Sequence, residues 1–160
     1  MDTPEPEQAR RGPRTSIRPL QRMDLETALA LKVAPEQQKW IPENVYSLAQ
    51  SKFEPCTPYG IFYGEELVGL LMICFWNGLH WINRIMVDAN WQDRGLGGKA
   101  LELALETIRQ QAKAREVRTS VARDNAVAEY LFHRLGFRRM DNMETTEGEA
   151  DPEFVMQLFI

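Results

Sequence analysis

The sequence predicts a single α/β domain, from residue 15 to residue 160, with a mixed and mostly antiparallel sheet. Three observations support this prediction. Residues 60–87 form three apolar runs separated by turn signals, which is typical of a strand meander. The glycine-rich stretch 95–98 follows the third run and begins an amphipathic helical pattern. Another apolar run at 116–122 comes after that helix, so strand, helix and strand form a βαβ unit.

The N-terminal residues 1–14 differ from the rest of the chain in composition. They are rich in proline and charge and poor in large apolar side chains. Such a segment cannot bury enough surface to offset the entropy lost on ordering. We therefore expect residues 1–14 to form a disordered extension.

The first ordered elements are predicted to be a short strand at 17–20 and a helix over 23–33, which Pro35 ends. The buried stripe of this helix is expected to consist of Leu25, Ala28 and Leu29. Residues 36–53 then predict a helical segment that Pro42 interrupts.

The meander has two predicted turns, one at Gly64 and one at Asn77-Gly78. The second is a strong hairpin signal because both of its residues tolerate positive φ. Residues 79–87 are therefore expected to run antiparallel to residues 67–76.

The C-terminal half predicts two helices and two strands. The first helix carries its apolar residues at helical spacing, namely Leu101, Ala104, Leu105, Ile108 and Ala112. A second helix is predicted within 125–137, with Gly136 at the position of a left-handed C-terminal cap. Besides the strand at 116–122, residues 153–160 close the chain as a strand.

Composition and charge exclude several classes of function. The 160 residues have a net charge of −4, which argues against a nucleic-acid partner. There is no apolar run of transmembrane length and no signal-peptide pattern, so we expect a cytoplasmic protein without a membrane partner. Cys56 and Cys74 are isolated and lack metal-ligand spacing, so no metal site is predicted, and Cys74 is expected in the core.

The loop QDRGLGGK, residues 92–99, predicts an anion site at a helix N-terminus. It does not match a phosphate-binding P-loop, since Asp93 stands at the first glycine position and Ala100 replaces the final Ser or Thr. The stretch Gly95–Ala100 does match the dinucleotide pattern formally. However, seven residues, 88–94, separate it from the strand, whereas that fold places its first glycine almost directly after the strand.

Two segments resemble the paired motifs of the GNAT superfamily of acyl-CoA-dependent N-acetyltransferases. They are RIMVDANWQDRGLGGKALELAL at 84–105 and ARDNAVAEYLFHRLGF at 122–137. The segments at 33–53, 68–72 and 80–101 are similar to the bacterial diamine and spermine/spermidine acetyltransferase branch. The resemblance implies a sheet splayed at its central strands and flanked by about four helices. It also implies acetyl-CoA as the cofactor, an amine as the acceptor and a homodimer.

The resemblance also implies a set of cofactor-binding residues. The loop amides would bind the pyrophosphate of coenzyme A, and these residues are Gln92, Asp93, Arg94, Gly95, Leu96, Gly97, Gly98 and Lys99. The strand residues Ile85, Met86 and Val87 would pair through their backbone with the pantetheine arm, which Asn125 would also contact.

The expected chemistry is direct attack of a neutral amine on the acetyl thioester, with no covalent enzyme intermediate. The backbone amide of Met86 or Val87 is the candidate donor for the developing oxyanion. The family usually has a tyrosine that protonates the departing sulfur, but this chain has Phe132 at that position. We expect the Phe132 ring to pack at the site without donating a proton.

A polyamine is the predicted acceptor class, for which carboxylates and aromatic rings should line the site. The candidate substrate-binding residues are Trp40, Glu43, Arg84 and Glu153, the last in the acidic segment 147–154. A cation at Arg84 would oppose a cationic amine unless it is turned away or paired. Three alternatives remain: a non-catalytic acyl-CoA-binding module, an acetyltransferase of another amine class (an aminoglycoside-like drug, an amino acid or a protein N-terminus), and a dinucleotide-binding protein.

Overall fold

The computed structural model describes residues 12–111, 113–145 and 153–160, which form a seven-stranded sheet with helices on both faces. The strands are β1 (Thr15–Pro19), β2 (Cys56–Tyr63), β3 (Glu66–Trp76), β4 (Leu79–Val87), β5 (Glu116–Ala122), β6 (Arg138–Thr145) and β7 (Glu153–Phe159). The α-helices in these ranges are α1 (Leu25–Ala30), α2 (Asn44–Phe53), α3 (Leu96–Arg109) and α4 (Ala126–Arg134). The predicted α/β class is confirmed. Ala112 and residues 1–11 of the predicted extension lie outside the described residues.

The strand order is β1-β2-β3-β4-β5-β7-β6, and every neighbouring pair is antiparallel except β4 and β5. The predicted hairpin between β3 and β4 turns at Asn77 and Gly78, with φ of 51° and 78°. The meander is therefore confirmed, because residues that tolerate positive φ stand where the chain reverses. Gly136, with φ of 101°, follows α4 at the predicted position.

The sheet opens between its two parallel strands. β4 and β5 pair only where His80 lies opposite Val117 and Trp81 opposite Arg118. One residue further along, the Thr119 hydroxyl donates to the carbonyl oxygen of Ile82 at 2.8 Å. Beyond this contact the strands diverge, so the backbone of β4 that faces β5 lacks a strand partner. We call this opening the splay.

A bulge in β4 coincides with the splay. The register with β3 shifts between Leu70 and Met72, and Arg84 in the facing part of β4 has φ of 54°. Bulges bend a strand and change the direction of its backbone groups. Gly69 of β3 allows the close approach there, since a Cβ at this position would lie 2.4 Å from the Met86 carbonyl oxygen.

Two apolar layers cover the two faces of the sheet. On one face α3 and α4 pack against a core that includes Ile82, Leu101 and Phe137. On the other face, apolar residues from the α1–α2 region surround a smaller core that includes Met72 and Met86. The predicted apolar residues of α3 are buried, namely Leu101, Ala104, Leu105 and Ile108.

The first helix differs from its prediction. It ends at Ala30 rather than at residue 33, and only Ala28 of the predicted stripe is buried. Leu25 and Leu29 are 45% and 39% exposed. The reason is that a helix of six residues has less than two turns, so the small Ala28 alone packs down onto Phe62 and Leu67.

Two further features differ from the sequence prediction. Cys56 and Cys74 form a disulfide, so the expectation that they are isolated is wrong: antiparallel pairing of β2 and β3 brings them opposite each other. Cys74 is buried, as expected.

Strand β6 was not predicted, because its sequence RRMDNMET lacks an apolar alternation and its pairing with β7 is a tertiary contact. No helix in the described ranges is long and apolar enough to span a membrane.

Candidate active site

A cavity of about 950 Å³ passes through the sheet at the splay. Its walls include residues 81–87 of β4 and 118–122 of β5. On the α3–α4 side it is lined by the glycine loop and the inner surface of α4, including Gly95, Leu96, Gly97, Gly98, Asn125 and Phe132. On the opposite side it is lined by residues that precede α2, including Val33, Trp40 and Ile41. Two molecules that approach from opposite faces of the sheet can therefore meet at the splay.

The start of α3 presents backbone N–H groups to this cavity. Gly95, with φ of 74°, is the N-cap residue and supplies no side-chain cap. The N–H groups of the first helical turn have no partner within the helix, and the helix dipole adds positive potential. Gly97 and Gly98 leave this end of the helix open, and both line the cavity. The arrangement suits an anion such as a pyrophosphate.

Of the charged residues Asp93, Arg94 and Lys99, only the first lines the cavity. Asp93 lines the cavity and has φ of 62°. The guanidinium of Arg94 stacks 4.8 Å from the centre of the Trp91 ring, and the ammonium of Lys99 lies 3.3 Å from the Glu102 carboxylate. Neither Arg94 nor Lys99 contributes to the cavity wall.

The Gln92 side chain is held by protein contacts. Its Nε2 donates to the Val87 carbonyl oxygen at 2.9 Å and to Gln37 Oε1 at 2.7 Å. The Gln37 amide donates back to Gln92 Oε1 at 3.2 Å. Gln92 therefore ties the end of β4 to the segment before α2, and its side chain has few remaining groups with which to contact a ligand.

The backbone of Val87 faces the splay. The Asp88 N–H donates to the Val68 carbonyl oxygen at 2.8 Å, and the Met86 carbonyl oxygen lies close to Gly69, so both residues direct their backbone groups towards β3. Because successive residues of a strand alternate in direction, the Val87 N–H points away from β3. Of the two amides proposed from the sequence, that of Val87 is directed into the cavity. The side chains of Ile85 and Val87 pack towards α3, while that of Met86 packs on the opposite face.

Helix α4 contributes Asn125 and Phe132. Asn125 Oδ1 accepts from the Ala128 N–H at 3.2 Å and caps the helix, and the residue lines the cavity. Phe132 is 3% exposed, lines the cavity and contacts Phe137 edge to face, with ring centres 5.2 Å apart. Tyr130 is 65% exposed and does not line the cavity.

Three of the four predicted substrate-binding residues line the cavity, namely Trp40, Arg84 and Glu153. The Arg84 guanidinium is turned towards α2, where it donates to Gln50 Oε1 and stacks 5.0 Å from the Tyr46 ring centre. Glu43 lines a separate cavity of about 240 Å³ beside Asn44 and Met86. Residues 147–152 of the acidic segment lie outside the described residues.

The segment Pro35–Ile41 crosses the open end of the splay. We call it the strap. Gln37 joins it to Gln92 on the β4 side, while Trp40 Nε1 donates to Asp124 Oδ1 at 2.7 Å beyond β5. Lys39 forms an ion pair with Asp124 at 2.8 Å. The Lys39 and Trp40 hydrogen bonds lower the pKa of the Asp124 carboxyl below its ordinary value.

Sequence reasoning did not select several cavity residues. Asn83 and Ser120 line the cavity, and Gln37 and Asp124 hold the strap. Trp76 and Trp81 also line it, with ring centres 6.1 Å apart. Alternation along β4 was the available signal, since Trp81 and Asn83 are two residues apart and share a face.

Comparison with known families accounts for this architecture. A model of the acetyltransferase (GNAT) family matches residues 21–137, which is more than half of the chain. The chain belongs to the GNAT family. The dinucleotide-binding alternative is therefore wrong, and the mostly antiparallel sheet of this GNAT protein agrees with that correction.

Similar proteins include acetyltransferases that act on polyamines. The spermine/spermidine N(1)-acetyltransferase of Bacillus subtilis (strain 168) is 29% identical over 89 residues, which cover 51% of this chain and 59% of that protein. The match thus spans less than two thirds of the length of that relative.

Two solved structures share the fold. The aminoglycoside acetyltransferase AAC(6')-Ib in complex with coenzyme A has a TM-score of 0.76 and 17% identity, over 91% of this GNAT chain and 95% of that chain. The spermidine N-acetyltransferase from Vibrio cholerae in complex with coenzyme A and spermine has a TM-score of 0.70 and 15% identity, over the same shares of the two chains. These likenesses confirm the predicted single-domain GNAT fold with its splayed sheet.

Proposed function

We propose that this GNAT protein transfers an acetyl group from acetyl-CoA to a primary amine, with polyamines as the acceptor class. The observation that carries the proposal is the cavity that passes through the sheet at the splay. The uncapped N-terminus of α3, which suits an anion, lies at one face, and tryptophan side chains lie at the other. The two substrates would thus meet at β4 without a covalent enzyme intermediate.

The residues around the splay fit coenzyme A. Gly97, Gly98 and the uncapped N-terminus of α3 suit the pyrophosphate. The outward-facing carbonyl oxygen of Val87 has a second lone pair besides the one that Gln92 uses, and it suits an N–H of the pantetheine arm. Asn125 retains its Nδ2 group for a contact with that arm, because Oδ1 caps α4. Gln92 acts in this proposal by holding the Val87 carbonyl. Bound acetyl-CoA supplies the reactive thioester.

The chain's own groups have defined roles in this reaction. The Val87 N–H donates to the carbonyl oxygen as negative charge develops there. Phe132 packs against the cofactor and has no proton to give, so solvent protonates the departing sulfur. A thiol has a pKa of about 8.5, so its thiolate is a tolerable leaving group without a general acid. The missing acid is expected to reduce the rate by about 10²–10⁴-fold relative to a chain with a well-placed donor.

The polyamine proposal is supported by the B. subtilis relative and by the site's aromatic lining. An alkylamine with a pKa near 10.4 is neutral in only about one molecule in 10³ at pH 7, so a proton must leave before attack. Trp40, Trp76 and Trp81 offer apolar and cation–π surface for the alkyl chain. The Arg84 guanidinium is held by Gln50 and Tyr46, neither of which lines the cavity, so its charge is turned away from the cavity. Glu153 contributes a carboxylate.

The same proposal includes a homodimer, as the family resemblance implies, and the cytoplasmic location that the sequence predicts. One observation favours a second candidate, a non-catalytic acyl-CoA-binding module. Phe132 stands where a proton donor is expected and is buried in the cavity wall.

The deciding experiment follows thiol release from acetyl-CoA with spermidine, spermine, putrescine and unrelated primary amines. We expect saturable release with a polyamine, together with an acetylated product seen by mass spectrometry. Tight acetyl-CoA binding by calorimetry without release in the whole panel would reject the polyamine class and leave either an amine outside the panel or the binding module. Release with an unrelated amine alone would reject the polyamine class.

A further inference from the structure

One polar side chain at the cavity is not explained by the fold. Within the described residues, two buried side-chain polar atoms have no hydrogen-bond partner: Ser47 Oγ and Asn83 Nδ2. Leaving a buried donor unpaired costs free energy, and native structures keep few of them. Of these two residues, only Asn83 lines the cavity. Its carboxamide is therefore held at the site at a cost to stability.

The position of Asn83 along β4 places it beside the reaction centre. It lies one residue before Arg84, where the bulge occurs, and four residues before Val87. Asn83 pairs with Met72 of β3, and directly opposed residues share one face of the sheet. Met72 belongs to the core beneath α1 and α2, so Asn83 lies on that face and not on the face of the glycine loop.

The two ends of the Asn83 carboxamide differ in burial. Among the described residues neither end has a hydrogen-bond partner, and only Nδ2 is fully buried. Oδ1 is therefore the less buried end of a side chain that lines the cavity. A carboxamide oxygen accepts hydrogen bonds only, so it suits an N–H group.

The neighbour of Asn83 on the same face is Trp81, which also lines the cavity. An accepting oxygen next to an indole ring matches a primary amine on an apolar stem. The stem packs on the ring, and one N–H of the amine donates to the oxygen. Because that bond uses an N–H, the nitrogen lone pair stays available for attack.

We propose that Asn83 is an acceptor-binding residue whose Oδ1 receives the amine on the face of the sheet opposite the coenzyme A site. This inference rests on the proposed function and identifies the residue that orients its second substrate. It predicts that loss of the Asn83 carboxamide weakens amine binding without lowering the stability of the fold.

The test compares N83L, which removes the carboxamide, with N83D, which keeps an oxygen and removes the N–H group. For N83L we expect the KM of spermidine to rise about tenfold, as for one lost hydrogen bond. The KM of acetyl-CoA is expected to be unchanged, and the Tm to be equal or higher because the unpaired donor is gone. For N83D the KM of spermidine should stay near or below that of the wild type.

Asn44 provides the matched control on the facing helix. Its Nδ2 is buried like that of Asn83, but it donates to the Ala28 carbonyl oxygen at 2.8 Å. We expect N44L to lower the Tm and to leave the KM of spermidine unchanged. N83L should thus weaken amine binding without lowering the Tm, whereas N44L should lower the Tm without weakening amine binding.

Three results would overturn the inference: an N83L chain with reduced Tm or failed folding, an N83L chain with unchanged spermidine KM, or an N83D chain as impaired as N83L. The last would show that the N–H group, rather than the oxygen, is the functional end. Failure of the proposed function is distinguishable, because the wild-type chain would then bind acetyl-CoA and acetylate no amine. In that case the inference falls with it.

Discussion

Trp40 donates its indole N–H to Asp124 at 2.7 Å, and this bond joins the strap to the loop that follows β5. The other end of the strap is tied to β4 through Gln37 and Gln92. The strap therefore connects the two strands at the end where they diverge, and it forms part of the cavity wall.

The Trp40–Asp124 bond predicts a pH dependence. Hydrogen bonds from Lys39 and Trp40 lower the pKa of Asp124, so the charged carboxylate is favoured in the folded chain. The stability that these hydrogen bonds add to the folded chain is complete above the ordinary aspartate pKa of about 3.9. It is lost as the pH falls through the lowered pKa of Asp124. We expect the Trp40 indole N–H resonance to shift in that acidic range in an NMR titration. W40F assigns the resonance, and a resonance that is constant down to acid unfolding would contradict the contact.

Gly97→Asp is predicted to abolish coenzyme A binding. The substitution adds a negative charge to the N-terminal turn of α3, where the pyrophosphate is proposed to bind, and like charges at close range cost several kcal/mol. We expect affinity in calorimetry to fall by about 100-fold or more. Gly97→Ala is the size control, since its Cβ would lie 3.8 Å from the nearest side-chain atom and should leave the fold intact. Unchanged affinity in a folded Gly97→Asp chain would reject the anion site.

Gly69→Ala is predicted to disturb β4. The added Cβ would lie 2.4 Å from the Met86 carbonyl oxygen, so the bulged part of β4 has to move. Overpacking of this kind costs about 1–3 kcal/mol, which should lower the urea midpoint with an unchanged slope. We also expect weaker coenzyme A binding, because Val87 would shift with Met86. Gly12→Ala, whose Cβ would meet nothing within 4 Å, should change neither quantity.

Phe132→Tyr is predicted to increase turnover. The ring lines the cavity, and a hydroxyl there would supply the proton that the departing thiolate needs. General acid catalysis contributes about 10²–10⁴-fold, so we expect a rise in kcat towards that range with a similar KM for acetyl-CoA. Tyr130→Phe is the matched control on the exposed side of α4 and should leave kcat unchanged. If the kcat of Phe132→Tyr equals that of the wild type, thiol protonation does not limit the reaction.

Much of the fold follows from local patterns in the sequence. The meander, the βαβ unit and the helix after the glycines all appear as predicted, since strand and helix periods are properties of adjacent residues. The first helix was one exception, because its shortness exposes Leu25 and Leu29. Strand β6 was missed because an edge strand needs no apolar alternation to pair with β7.

The candidate site likewise has one part that the sequence predicted and another part that it did not. The glycine loop and the α4 motif identified one side of the cavity, because an anion site depends on residues that are consecutive in the chain. Asn83 was missed, and Gln92 proved to be tied to Gln37, 55 residues earlier, and to the end of β4. Such contacts between distant segments leave no periodic signal.

The sequence by itself determined the order of most elements, the position of the glycine loop before α3 and the resemblance to the GNAT family. Only the tertiary structure decided that β4 bulges at Arg84, that Val87 faces the splay, that Arg84 turns to α2 and that Cys56 meets Cys74. The physical reason is that strand register and side-chain pairing depend on residues far apart in the chain. A shift of one residue at the bulge changes which backbone groups face the cavity.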